Sequence, residues 1–102
     1  MDDVAAIAGA SGSWVSGCGH AGDGNVHLSV FQSDPAKRQE VIEAILRAGT
    51  GRGGAISGEH GIGRGKRKYL AAIEDPAKLD LWRRIKTAFD PNHILNPGAI
   101  FE

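Results

Sequence analysis

Glycine sets the terms for this chain. Fifteen of its 102 residues are glycine, and twelve of them gather at 17–24, 49–54 and 58–65 rather than spreading along the sequence. Clusters of this kind, in a sequence that is not low in complexity, mark loops that turn sharply or approach a ligand closely. Regular elements must therefore fit the intervals between them. Two glycine-framed segments, Gly19–His27 and Ser57–Gly63, also hold three of the four histidines. They are expected to build one polar, histidine-rich reaction site.

The intervals read as an α+β chain in the order β-β-α-(β)-α-α, with a short alanine-rich helix tail at Val4–Ala10 before it. Ser13–Cys18 and Val26–Phe31 have strand composition, and His20–Asn25 between them is dense in turn residues, so a tight antiparallel reversal is expected. Asp34-Pro35 opens a helix, with Asp as N-cap and Pro at the first helical position. Val41, Ile42, Ile45 and Leu46 recur at helical spacing, and Gly49 stops the run. Ala55–Ser57 reads as a short strand and Lys66–Ile73 as a short helix. Asp75-Pro76 repeats the cap-and-proline start, with Leu79, Leu81, Trp82, Ile85 and Phe89 as the expected buried stripe. Asp90-Pro91 ends this helix, and Asn92–Glu102 reads as an ordered tail.

Composition removes several function classes. Twelve basic residues balance twelve acidic ones, so no global field favours nucleic acid or an anionic membrane. No apolar stretch is long enough to span a bilayer, and the acids in residues 1–10 do not suit an export signal. One cysteine, Cys18, cannot form an internal disulfide, which fits a reducing cytoplasm. Gly17-Cys18-Gly19-His20-Ala21-Gly22 formally matches G-x-G-x-x-G, yet a strand follows where a dinucleotide fold needs a helix. The segment ending at Gly65-Lys66 fails as a phosphate loop, since His60 and Arg67 stand where Gly and Ser or Thr are required. Cys18 reads as a small apolar strand residue, Trp14 and Trp82 as core or interface, and His93 as a surface residue. Arg64, Lys66, Arg67 and Lys68 read first as a solvated helix start, and second as an attractor of anions.

The chemistry lies in the histidine segments. If Gly22-Asp23-Gly24 folds the chain back, His20 and His27 can converge from adjacent strands. Two imidazoles and one carboxylate make a three-ligand metal site with an open position. Glu59, framed by glycines in Ser57-Gly58-Glu59-His60-Gly61, is the best carboxylate. His60 would then be free to serve as a base. The spacing alone leaves a second reading open: hydrogen-bonded loop histidines and a solvated Glu59.

Three stretches together resemble a known family. Gly19-His-Ala-Gly-Asp-Gly-Asn-Val-His27, Ser57-Gly-Glu-His-Gly-Ile-Gly63 and Asp90-Pro-Asn-His-Ile-Leu-Asn-Pro-Gly98 are similar to the C-terminal domain of FAD-linked oxidases of the vanillyl-alcohol-oxidase type. That family includes glycolate oxidase, D-lactate dehydrogenase and D-2-hydroxyglutarate dehydrogenase. The resemblance implies that His20, His27 and Glu59 bind a divalent metal, zinc being one candidate. It implies that His60 takes the substrate hydroxyl proton as hydride passes to FAD, that Asn25 lines the same pocket, and that Asn96 lies near the flavin ring. Ala99 departs from the pattern, because many relatives carry lysine there.

The resemblance further implies that residues 1–102 are the latter part of a ferredoxin-like domain, an antiparallel sheet with helices packed on one face. The FAD-binding domain would be a separate domain or subunit, and the substrate a small 2-hydroxy acid. Half a sheet exposes an edge and an apolar face, so a homo-oligomer is also expected. The alternative is a non-catalytic remnant serving as a small oligomeric or binding module. An independent small metalloenzyme is disfavoured, since no second acid–base set is present.

Overall fold

The computed structural model describes residues 1–101; the last residue of the expected tail, Glu102, lies outside them. The chain is α+β, with four helices and one two-stranded antiparallel sheet among the described residues. It divides into two compact units, Met1–Glu59 and His60 onward.

In the first unit, helix α1 (Asp2–Ser11) leads into strand β1 (Trp14–His20). A 3-10 turn, Ala21–Asp23, reverses the chain into strand β2 (Asn25–Phe31). Gly24 closes that turn with φ +69°, a conformation glycine adopts without the clash a β-carbon brings. The ladder runs from Trp14 opposite Phe31 to His20 opposite Asn25. Helix α2 (Pro35–Gly51) follows, and the Asp34 carboxylate accepts the Ala36 N–H at 2.9 Å and the Lys37 N–H at 3.4 Å. This is the N-cap that Asp-Pro announces.

Side chains on a strand alternate between faces, and the hairpin uses its two faces differently. Val15, Leu28 and Val30 are half-buried on the face met by α1 and α2, while Trp14, Ser16, Cys18, His20, His27, Ser29 and Phe31 are exposed on the other. The apolar centre of the unit is Val41 of α2 with Ile56. Gln32 clips the hairpin to the end of α1, its Nε2 donating to Ser13 Oγ (2.8 Å) and to the Ser11 carbonyl (3.1 Å). Arg52 Nε donates to Asp3 Oδ2 at 2.5 Å and joins the far end of α2 to the start of α1. That bond, and then the charge of the guanidinium, lowers the Asp3 pKa.

The second unit holds α3 (Arg67–Ile73), α4 (Pro76–Phe89) and a tail that returns to the glycine-rich segment ahead of α3. Asp75 caps α4 by accepting the Ala77 N–H at 2.9 Å. Leu70 and Leu79 are the buried apolar residues. Asp90, also buried, accepts Lys86 Nζ (2.5 Å) and the N–H groups of Ile94 (3.0 Å) and Leu95 (3.1 Å). The Lys86 bond is the largest influence on its carboxyl and lowers its pKa; burial opposes, and the two backbone donors assist.

Four sequence expectations need correction. Ala55–Ser57 is loop, not strand; the hairpin's partners are β1 and β2 alone, and Ile56 contributes by burial. Of the expected α4 stripe, only Leu79 is buried and Trp82 half-buried. Leu81, Ile85 and Phe89 are 50%, 48% and 83% exposed. Their i, i+4, i+8 spacing makes a continuous row, so periodicity found the row but could not say what covers it. Trp14 is exposed, which removes the core half of its core-or-interface reading; Cys18 lies in strand β1 as read, with its side chain exposed. The basic cluster is more than a solvated helix start. Arg64 Nη2 donates to the Pro97 carbonyl and Arg67 Nη1 to the Gly98 carbonyl, both at 2.8 Å, and Lys66 Nζ donates to the Gly61 carbonyl. The first two strap down the tail.

Candidate functional site

The register of the hairpin decides which side chains can meet. Cys18 stands opposite His27 and His20 opposite Asn25. Residues directly opposite share a face, and so do residues two apart. His20, Cys18, Asn25 and His27 therefore line one face, with the two imidazoles diagonal to each other. The reversal at Ala21–Gly24 sets them on that shared face from adjacent strands.

The segment after α2 passes over this face. Gly58 lies against the Asn25 side chain so closely that a β-carbon at 58 would overlap Asn25 Oδ1. A larger residue there would have to push the Asn25 carboxamide aside. The contact delivers the next residue, Glu59, to the histidines. Its Oε2 is 3.8 Å from His20 Nε2, and it offers a carboxylate oxygen within 4.8 Å of a ring nitrogen of His27. A 3.8 Å separation is too long for a hydrogen bond. It is close to the ~3.4 Å that separates two donors sharing one tetrahedral ion at ~2.1 Å from each. The donors that all lie within 4.8 Å of one another are His27, Glu59 and His60, each exposed, and His20 meets this group through Glu59. Two imidazole nitrogens and a carboxylate oxygen suit zinc or a similar divalent ion.

His60 follows Glu59 directly and is exposed, at the start of the second unit. Asn96 lies in the tail of that unit with φ +47°, a left-handed conformation that Asn tolerates better than most residues. His93 is exposed as expected, and it too has positive φ, +52°.

Two polar groups beside the site are not announced as such by the sequence. Cys18 faces His27 directly. Its parity with His20, two residues away on the same strand, was the available signal. Ser57, next to Gly58, has a buried Oγ with no hydrogen-bond partner among the described residues. An orphan hydroxyl of this kind is uncommon, and nothing local in the sequence points to it.

Residues 1–100 match the family described as FAD linked oxidases, C-terminal domain. The chain belongs to that family. An uncharacterized FAD-linked oxidoreductase of Mycobacterium tuberculosis is 50% identical over 95 residues, covering 93% of this chain and 21% of the relative. A D-lactate dehydrogenase of Anaerostipes hadrus is 44% identical over 92 residues, covering 84% of this chain and 19% of its own length. A D-2-hydroxyglutarate dehydrogenase of Stutzerimonas stutzeri is 39% identical over 94 residues, covering 81% and 19%. The chain thus spans about a fifth of the length of the curated relatives it matches. No solved structure matches it. Among its described residues, no helix is long and apolar enough to cross a membrane.

Proposed function

We propose that this chain is the substrate- and metal-side part of a flavin-dependent dehydrogenase that oxidises a D-2-hydroxy acid to the 2-oxo acid. The observation that carries the reading is the position of Glu59, its carboxylate beside both His20 and His27. The relatives named as D-lactate and D-2-hydroxyglutarate dehydrogenases support the substrate class.

In this reading His20, His27 and Glu59 hold a divalent ion, with zinc favoured by the two-nitrogen, one-oxygen donor set. Bound there, the ion supplies Lewis acidity toward the hydroxyl and carboxylate oxygens of the substrate. The flavin, carried by the FAD-binding domain, supplies the acceptor for the hydride from C2. His60 takes the hydroxyl proton on a ring nitrogen as that hydride leaves, so the carbinol loses two electrons and two hydrogens. Asn25, fixed beneath Gly58, orients the substrate in the same pocket, and Asn96 sits beside the flavin ring. A cytoplasmic location goes with this reading, in keeping with one free, exposed cysteine.

A second reading, a non-catalytic oligomeric module, draws on the exposed row Leu81, Ile85 and Phe89. Elemental analysis of the purified chain separates the two. Near one zinc or other divalent ion per chain, lost in His27→Ala and in Glu59→Gln but kept in His60→Ala, supports the site. A native protein that takes up no metal after supplementation rejects it and favours the module. Loss of metal in His60→Ala would make His60 a ligand rather than the base. Restoration of 2-hydroxy-acid oxidation on mixing with an FAD-binding domain, absent with His60→Ala, tests the reaction itself.

A further inference from the structure

We infer that the second unit carries a binding site of its own, for a small carboxylate with an apolar body. A cavity of about 260 Å³ opens between α4 and the returning tail. Its walls include Leu95, Pro97, Ala99 and Phe101, and its basic lining includes Arg83, Lys86 and His93. The volume lies below the ~300–1,000 Å³ of pockets that take drug-sized ligands, which limits the occupant to one ring or a short branched chain.

The charges around the cavity do not cancel. Asp90 is the acid in its lining, and its carboxylate is already committed to Lys86 Nζ and the N–H groups of Ile94 and Leu95. Lys86 is neutralised by the same pair and also donates to the Leu95 carbonyl. Arg83 remains. Its guanidinium sits 5.2 Å from the centre of the Phe101 ring and makes no ion pair among the described residues. A guanidinium fork over an aromatic wall matches a carboxylate attached to an apolar group.

The backbone around this cavity is strained as well. His93 and Asn96 line it with φ of +52° and +47°, and Ile100, between two lining residues, has φ +61°. Left-handed φ at a β-branched residue is a true outlier. Strain of this sort gathers where a ligand is clamped. Four tail bonds hold it in place: Arg64 to Pro97, Arg67 to Gly98, Lys86 to Leu95, and the Ile100 N–H to the Gly63 carbonyl at 2.8 Å.

This site does not depend on the metal reading. Titration of the full 102-residue chain with phenylacetate, followed by amide NMR, tests it. Expected are saturable shifts centred on residues 93–101, unchanged in His27→Ala. They should weaken about tenfold or more in Arg83→Gln, the loss of a charge-assisted bond, and recover in part in Arg83→Lys. Phenylacetamide, the uncharged analogue, should give no saturable shift. Phenylacetamide binding as well as the acid, Arg83→Gln binding like the native chain, or no saturable shift in a chain with dispersed, folded amides would each overturn the proposal. Riboflavin serves as a last probe: a stronger and Arg83-independent shift of the same residues would overturn it too, assigning the cavity to an uncharged ring system instead.

Discussion

Gly58 rests on the carboxamide of Asn25, so closely that a β-carbon at 58 would displace that side chain. The contact links the hairpin turn to the segment that carries Glu59. Gly58→Ala should therefore push the Asn25 carboxamide aside and shift the loop that carries Glu59, while leaving both strands paired. The expected result is a fall in zinc affinity of about 10–100-fold, the range for lost outer-shell support. Competition with a chromogenic chelator reads the affinity, and circular dichroism confirms the fold.

Leu70 and Phe89 make opposite predictions about the second unit. Leu70 is 2% exposed and Phe89 83%. Leu70→Ala should cost about 2–5 kcal/mol, enough to unfold a small unit. Phe89→Ser should change stability by no more than about 0.5 kcal/mol. Urea unfolding of the two variants gives the comparison. A large loss in Phe89→Ser would mean that this residue is covered in solution, as it would be in an oligomer.

The Asp34 carboxylate satisfies two backbone donors at the start of α2. Asp34→Ala should cost about 1 kcal/mol, read as a lower urea midpoint with an unchanged slope. Asp34→Asn should restore most of it, because the amide oxygen can still accept.

Acid sensitivity should trace to Asp3 and Asp90. Arg52 lowers the pKa of the first and Lys86 that of the second. A carboxylate whose folded pKa lies below its unfolded value adds stability above the unfolded value, and loses it as pH falls through the folded one. The chain should therefore hold its stability down to about pH 4, near the ordinary Asp value, and lose it progressively below. Asp90→Asn should lower Tm by several degrees at neutral pH and flatten the acid limb. Thermal melts across the acid to neutral range would show both effects.

Much of the fold was legible in the chain. Both Asp-Pro pairs start helices where a cap and a fixed φ put them, and the turn-rich segment 20–25 reverses the chain. These are local effects, written in neighbouring residues. Parity and the reversal brought His20 and His27 to one face as the spacing allowed. What stayed hidden was tertiary. The α4 row Leu81, Ile85, Phe89 carries a helical period, but a period does not state which partner covers it. The basic residues 64–68 advertise charge, but not that Arg64 and Arg67 also donate to carbonyls about thirty residues away. Ala55–Ser57 has strand composition and lacks a strand to pair with.

The ladder that sets Cys18 against His27 has one more consequence. A slip of the two strands by a single residue would turn every β2 side chain over. His27 would then point toward α1 and α2, and Val26 and Leu28 would take its place beside Glu59. The hairpin could survive such a slip with its backbone bonds intact while the three donors parted company. The site thus has a frame, much as a coding sequence does. An inserted residue that breaks the Asn25 pairing should act as a frameshift: a chain that still folds, and no longer binds the ion proposed for the site.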